Sequence, residues 1–410
     1  MDIVDPVRLQ RLAEVAVRVG LNLAPGQELV MTASLEAVDL ARAITEQAYK
    51  AGASLVTTLF NDDAATLARF RHAPDASFDR APGWLYDGMA AAFRSGAARL
   101  AIAGEDPSLL AGIPADKVSR ANRARSAAYK PALELIVNTD INWTIVSYPC
   151  PSWAKAVFPD LPPDEAVRQL SEAVFKATRV DGPDPVAAWA THNAALHARK
   201  DRLNGKNYAA LHFRGPGTDL TVGLAEGHAW KGGASTAKNG IVCNANMPTE
   251  EVFTTPHKDR TEGTVRSTKP LSYQGTLIQD IAVRFAAGRI VECHARTGQE
   301  VLARVLDTDE GARRLGEVAL VPNSSPISQS GLLFLNTLYD ENAASHIALG
   351  QSYSMCFVDG ATASPEDLAR RGANTSLIHI DWMIGSGEID IDGIAQDGTR
   401  EPVMRGGEWA

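Results

Sequence analysis

Residues 28–60, ELVMTASLEAVDLARAITEQAYKAGASLVTTLF, decide the fold of the first half of this chain. Glu28–Thr32 and Ser54–Phe60 are apolar and β-branched runs of strand length. Between them Ala37, Leu40, Ile44 and Ala48 recur at spacings of three and four. That places them on one face of a helix over Leu35–Ala51, with Gly52 as its stop. Strand, helix and strand in that order predict two parallel strands joined by a crossover.

The same rhythm runs outward from this unit. Asp63–His72 reads as a helix and Ala98–Ala103, ending at Gly104, as a strand, while Glu134–Ile141 and Trp143–Ser147 are expected to add sheet. The prolines in Tyr148–Trp153 must leave the sheet, because proline cannot donate to a ladder. Asp164–Arg179 is a helix, broken by Asp181–Pro185 before a second one to about Arg202. Beyond Leu203–Lys206 the pattern changes to short strands and frequent glycines: Tyr208–Arg214, Asp219–Leu224, a turn at Lys231–Gly233, Val252–Thr255, Ile278–Phe285 and Arg289–His294. The expected architecture is an α/β N-terminal domain over residues 1–203 and a β-rich α+β C-terminal domain over residues 204–410.

Composition narrows the functional classes. With 410 residues, 45% hydrophobic and 22% charged, the chain can bury a large core and is long enough for two domains. Forty basic against 49 acidic residues give a net charge of −9 with no basic arm, which argues against nucleic acid as a partner. No run reaches the ~18 continuous apolar residues of a membrane span. The opening MDIVDPVRLQRLAEVAVRVG reads as an amphipathic helix carrying Asp2 and Asp5, so a cytoplasmic location is expected. Cys150, Cys243, Cys293 and Cys356 are widely spaced without a CxxC, so reduced, mostly buried thiols are expected.

The chemistry concentrates in the second half. Residues 246–270, NMPTEEVFTTPHKDRTEGTVRSTKP, set Glu250 and Glu251 side by side among strand formers and turn signals. Glu317 follows in LGEVALV, His346 in DENAASHIALG, and His379 and Asp381 in SLIHIDWMIGS. Two divalent ions need roughly five to seven ligand atoms, a bridging carboxylate and enough negative charge to offset much of +4. Glu251, Glu317, His346, His379 and Asp381 form such an all N/O set, with three carboxylates supplying −3 and a bridging hydroxide able to cancel the remainder. On a strand, His379 and Asp381 point to one face while Ile380 turns into the core. Two ionisable groups on one face of an apolar strand are costly unless paired or metallated.

Glu250 and Glu251 point apart if they begin a strand, leaving one as a ligand and the other to hold a substrate ammonium. Tyr353, seven residues after His346, would share its helical face and could stabilise an oxyanion. His192 and His197, five apart, share no helical face and are set aside. His257 reads either as a loop histidine or as part of a substrate cavity, and Arg260 and Lys258 either bind a substrate carboxylate or pair with Glu262. On residue chemistry alone, solvated acids with hydrogen-bonded core histidines and a metal site both remain open.

The blocks MPTEEVFTTPHKDRTEGTVRSTKPL, LGEVALVPNSSPIS, LFLNTLYDENAASHIALGQSY and HIDWMIGS resemble those of the thermophilic aminopeptidase family of metallopeptidases, a likeness densest from Asn246 onward. The resemblance implies an exopeptidase that releases N-terminal amino acids through a hydroxide activated by two divalent metals, and an all N/O site without cysteine suits zinc, cobalt or manganese. Residues matching Glu251, Glu317, His346, His379 and Asp381 would hold them, with Glu317 bridging. Tyr353 matches an active-site tyrosine, and Glu250 the neighbouring acid that would handle the proton or the substrate amine. It also implies a homodimer enclosing its active sites, hence short peptide substrates. A second reading is a ferrous ring-cleaving dioxygenase of the same fold, for which His346, His379 and Asp381 would suffice. Glu251 and Glu317 together favour the dinuclear hydrolase.

Overall fold

The computed structural model describes residues 3–273 and 276–410. The chain divides into two compact units, Met1–Thr191 with Ala234–Pro248, and His192–Gly233 with Thr249–Ala410.

The first unit is built on four parallel strands, β1 (Glu28–Ser34), β2 (Leu55–Asn61), β3 (Ala98–Ala103) and β4 (Trp143–Ser147), in the order β2-β1-β3-β4. The helix between β1 and β2 runs Val38–Lys50 after a short 3-10 turn, and buries Leu40, Ala41, Ile44 and Ala48 as its spacing predicts. The expected strand at Glu134–Ile141 is corrected. Residues Ala115–Val137 form one long helix in which Ala132 and Ile136 are buried while Leu133 and Val137 face outward. That is a period near four, and a short apolar run cannot by itself tell a strand from a buried helix turn.

The second unit contains an eight-stranded antiparallel sheet in the order Arg289–His294, Ala282–Ala286, Pro256–Arg266, Thr218–Leu224, Ala210–Gly215, Asp390–Ile394, Arg400–Arg405 and Glu408–Trp409. The single strand expected at Ile278–Phe285 is two, Thr276–Ile278 and Ala282–Ala286, because Asp280 adopts a positive φ of 54° between them. Residues Leu203–Lys206 close the helix Pro185–Lys206, with Leu203 buried and Asn204 accepting from Trp230 N at 2.8 Å.

A second, four-stranded antiparallel sheet in this unit carries the chemistry. Its strands are β5 (Val252–Thr254), β6 (Leu315–Leu320), β7 (His346–Gly350) and β8 (His379–Met383), in the order β8-β7-β6-β5. Among the described residues no helix is long and apolar enough to cross a membrane, and no cysteine is bonded to another.

Candidate metal centre

Strand β7 reads His-Ile-Ala-Leu-Gly, and the pleat sends Ile347 and Leu349 into the apolar core and His346, Ala348 and Gly350 to the opposite face. In β8, His379 and Asp381 lie across from Gly350 and Ala348 and share that face, while Ile380 and Trp382 join the core. In β6 the register slips between Leu315 and Glu317, a β-bulge at Gly316. The bulge lets Leu315 pack in the core although Glu317, only two residues on, lies opposite Ala348 on the other face. A Cβ at Gly316 would sit 2.4 Å from the carbonyl oxygens of Gly350 and Gln351, so the bulge admits no side chain there. Glu317, Ala348 and Asp381 form one row across three strands, and only a methyl group stands between the two carboxylates. Glu251 immediately precedes β5 at the other edge.

The five side chains converge. His346 Nε2 is 3.2 Å from Glu251 Oε2, 3.6 Å from Glu317 Oε1 and 4.0 Å from Asp381 Oδ1. His379 Nε2 is 3.8 Å from Glu317 Oε2 and 3.5 Å from Asp381 Oδ1. Glu317 thus turns one oxygen to each imidazole. Two groups able to hold an ion result, Glu251–Glu317–His346 and Glu317–His379–Asp381, and Glu317 belongs to both. The other ring nitrogen of each histidine is engaged, His346 Nδ1 with Ala344 O at 3.1 Å and His379 Nδ1 with Gln351 O at 2.7 Å. That fixes each ring with Nε2 aimed at the carboxylates, the arrangement a metal-binding imidazole requires.

The donor set fits divalent cations. Glu251 Oε2 and Asp381 Oδ1 are buried oxygens that accept no hydrogen bond, despite nearby imidazole nitrogens. Burial, reinforced by the charges of Asp381 and Glu251, pushes Glu317 up to about 7. Burial would lower His379, but Asp381 and Glu317 lift it to about 9, and Glu251 and Glu317 raise His346 well above its ordinary value in the same way. Asp381, which burial would raise, is held below the usual carboxylate range by the two imidazoles. Protons therefore occupy this cluster at neutral pH, and a cation that binds there displaces them, more readily as pH rises.

The surrounding residues include three that sequence reasoning passed over. Glu341 adds a fourth carboxylate, raised well above its ordinary value by burial and by Glu251 and Asp381. Asn342, fully buried, accepts from Glu250 N at 2.7 Å and donates to Leu338 O at 3.0 Å and to Glu341 Oε1 at 3.4 Å. One amide therefore ties the Glu250–Glu251 segment to Glu341 and the turn leading to His346. His192, set aside on spacing, has its Nε2 2.7 Å from Thr249 O and 3.8 Å from Glu250 Oε2. The only sequence signal for the first two was the run of polar residues Asp340–Asn342 shortly before His346.

Tyr353 reaches the site by a route other than the expected one. His346–Gly350 is a strand, not a helix, because apolar and small residues alternate there with period two. Tyr353 lies in the loop that follows, and its ring packs against His379 with centroids 4.6 Å apart. Glu250 is buried but faces His192 while Glu251 faces His346, so the two adjacent acids diverge although both precede the strand. His257 lies on the strand Pro256–Arg266, Lys258 pairs with Asp259 at 2.6 Å, and Arg260 donates to Leu224 O at 3.0 Å; among the described residues neither cation is in an ion pair with Glu262.

The chain is similar to known proteins over almost its whole length. A family described as thermophilic metalloprotease (M29) matches residues 6–409. Aminopeptidase T of Thermus thermophilus is 57% identical over 401 residues, 98% of each chain, and aminopeptidase 2 of Geobacillus stearothermophilus is 47% identical over 402 residues, 98% of this chain and 97% of that one. The solved structure of wild-type AmpT from Thermus thermophilus superposes with a TM-score of 0.94 at 56% identity, covering 98% of this chain and 99% of that one. The structure of a 2,5-dihydroxypyridine dioxygenase from Pseudomonas putida superposes with a TM-score of 0.54 at 14% identity over 99% and 98% of the two chains, a likeness of fold alone.

Proposed function

As a member of the thermophilic metalloprotease family M29, this chain is a metal-dependent aminopeptidase, and we propose that it holds two divalent ions bridged by Glu317. Glu251, Glu317 and His346 would hold one ion, and Glu317, His379 and Asp381 the other. The observation that carries this reading is the division of Glu317, with Oε1 toward His346 and Oε2 toward His379. An all N/O donor set without thiolate suits zinc, cobalt or manganese. When bound, the metal supplies Lewis acidity toward the scissile carbonyl and a water acidified toward ~7.

The chain's own residues supply the rest. Glu250, buried and oriented by His192 and by its backbone bond to Asn342, would receive the substrate's α-ammonium group and pass the proton it takes from the attacking water to the leaving amine. Tyr353 donates to the developing oxyanion. Burial and the surrounding carboxylates raise its pKa, which keeps the phenol protonated as a donor at neutral pH. The proposed substrates are short peptides, and the proposed catalytic residues, with His192, all belong to the unit formed by His192–Gly233 and Thr249–Ala410. The same reading includes a homodimer, supported by family resemblance, and a cytoplasmic location, supported by the unbonded cysteines.

Hydrolysis of amino-acid p-nitroanilides by metal-stripped protein, before and after adding back zinc, cobalt, manganese or ferrous iron, tests the proposal. Restored release of free amino acids by the first three supports it. Ring cleavage of a dihydroxypyridine with ferrous iron and no peptidase activity would replace it with the dioxygenase reading.

A further inference from the structure

A cleft of about 310 Å3 in the second unit is lined by Asn207, Tyr208, Leu224, Glu226, His228 and Arg260, none of which the proposed mechanism uses. Arg260 donates to Leu224 O at 3.0 Å, and among the described residues no carboxylate lies within ion-pair distance of it. Gly223 makes its position possible, since a Cβ there would come within 2.5 Å of Arg260 Cβ. Burial and then Arg260 hold His228, in the same cleft, below its ordinary value. Glu226 lines the same cleft and is likewise outside any ion pair among the described residues. A cation and an anion, both exposed, thus share one cleft without an ion pair between them among the described residues.

The wall that carries Glu226 and His228 is held in place. Arg371 donates to the carbonyls of Glu226, Gly227 and Val358 at 3.0–3.1 Å, and its guanidinium lies 5.0 Å from the Phe357 ring. His228 is only 7% exposed and its Nδ1 is fixed on Ala225 O at 2.9 Å. These bonds fix the backbone of Glu226 and Gly227 and the ring of His228, while the Glu226 carboxylate itself stays exposed to the cleft. Tyr208, Leu224 and Ala225 add an apolar floor, and the volume suits a small organic ligand.

We propose that this cleft is a second ligand site, for a free α-amino acid, with Arg260 taking the carboxylate, Glu226 the ammonium and the apolar floor the side chain. Resting on the aminopeptidase reading, the ligand is the class of molecule the reaction releases. The cleft also adjoins the active-site loop. Ala229 N donates to Cys356 O at 2.8 Å and Val358 N to Gly227 O at 2.9 Å, while Tyr353 stands three residues before Cys356. Product held in the cleft therefore bears on the loop that positions Tyr353.

Titration of the metal-loaded full chain with L-leucine, followed through the backbone amide signals of Gly227 and His228, tests this. Saturable shifts are expected, with affinity falling about tenfold or more in both R260Q and E226Q, the loss of one charge-assisted contact. Hydrolysis of p-nitroanilides should persist in both variants. Isovalerate and L-leucinamide, each lacking one of the two charges, should bind more weakly than leucine. Shifts in R260Q and E226Q that keep the parent's affinity, or no shifts in the parent protein, would overturn the proposal. Loss of peptidase activity in the parent would instead indict the aminopeptidase reading and leave the titration interpretable.

Discussion

The two faces of the sheet β8-β7-β6-β5 follow opposite rules. On one, Val318, Leu320, Ile347, Leu349, Ile380 and Trp382 sit in a continuous apolar core, each side chain worth about 1.5–3 kcal/mol of burial. On the other, Glu317, His346, His379 and Asp381 are withdrawn from water within a few ångströms of one another. Buried charges of that kind cost several kcal/mol each unless they are paired or bound to metal. The comparison teaches that the apolar face anchors strands whose other face would not hold together by itself. Stability and chemistry reside on alternate residues of the same strands.

Substitutions that respect or violate this division should separate cleanly. Glu317→Ala removes the one group common to both ligand sets, and the loss of metal chemistry worth several kcal/mol should lower kcat/KM by on the order of 10³-fold or more. Its metal-free form should melt no lower than the parent's, because the deleted carboxyl was buried at a cost. Tyr353→Phe should lower kcat by roughly 10²-fold, the usual loss on removing one oxyanion donor, with metal content unchanged. Asn342→Ala leaves every ligand in place but frees the Glu250–Glu251 segment, so metal affinity measured by competition with a chelator should fall about 10- to 100-fold. Ile347→Ala, on the apolar face between His346 and Ala348, should lower unfolding stability by about 2–5 kcal/mol while kcat of the folded fraction stays within a few-fold. A result in which Ile347→Ala empties the metal site at temperatures where the protein is folded would break the separation between faces.

Much of this arrangement is legible in the sequence, and the remainder fails for physical reasons. The crossover unit at residues 28–60 shows itself through helical spacing, and the His379–Asp381 pair through period two. The side to which Glu317 points is not legible, because the bulge at Gly316 depends on how closely the carbonyls of Gly350 and Gln351 approach. Residues Glu134–Val137 look like a strand until the longer helix that contains them is seen. Tyr353 reaches His379 through a loop, a path no periodicity encodes. Asn342 and His192 act through backbone atoms of Glu250 and Thr249, so residue type alone does not mark them.

Counting metal ions per chain in the parent protein and in His346→Ala and His379→Ala most directly tests the claim that Glu317 serves two ions. Element analysis of the purified, metal-equilibrated proteins should find about two ions per chain in the parent and about one in each histidine variant. One ion per chain in the parent, retained in either variant, would contradict the bridged pair.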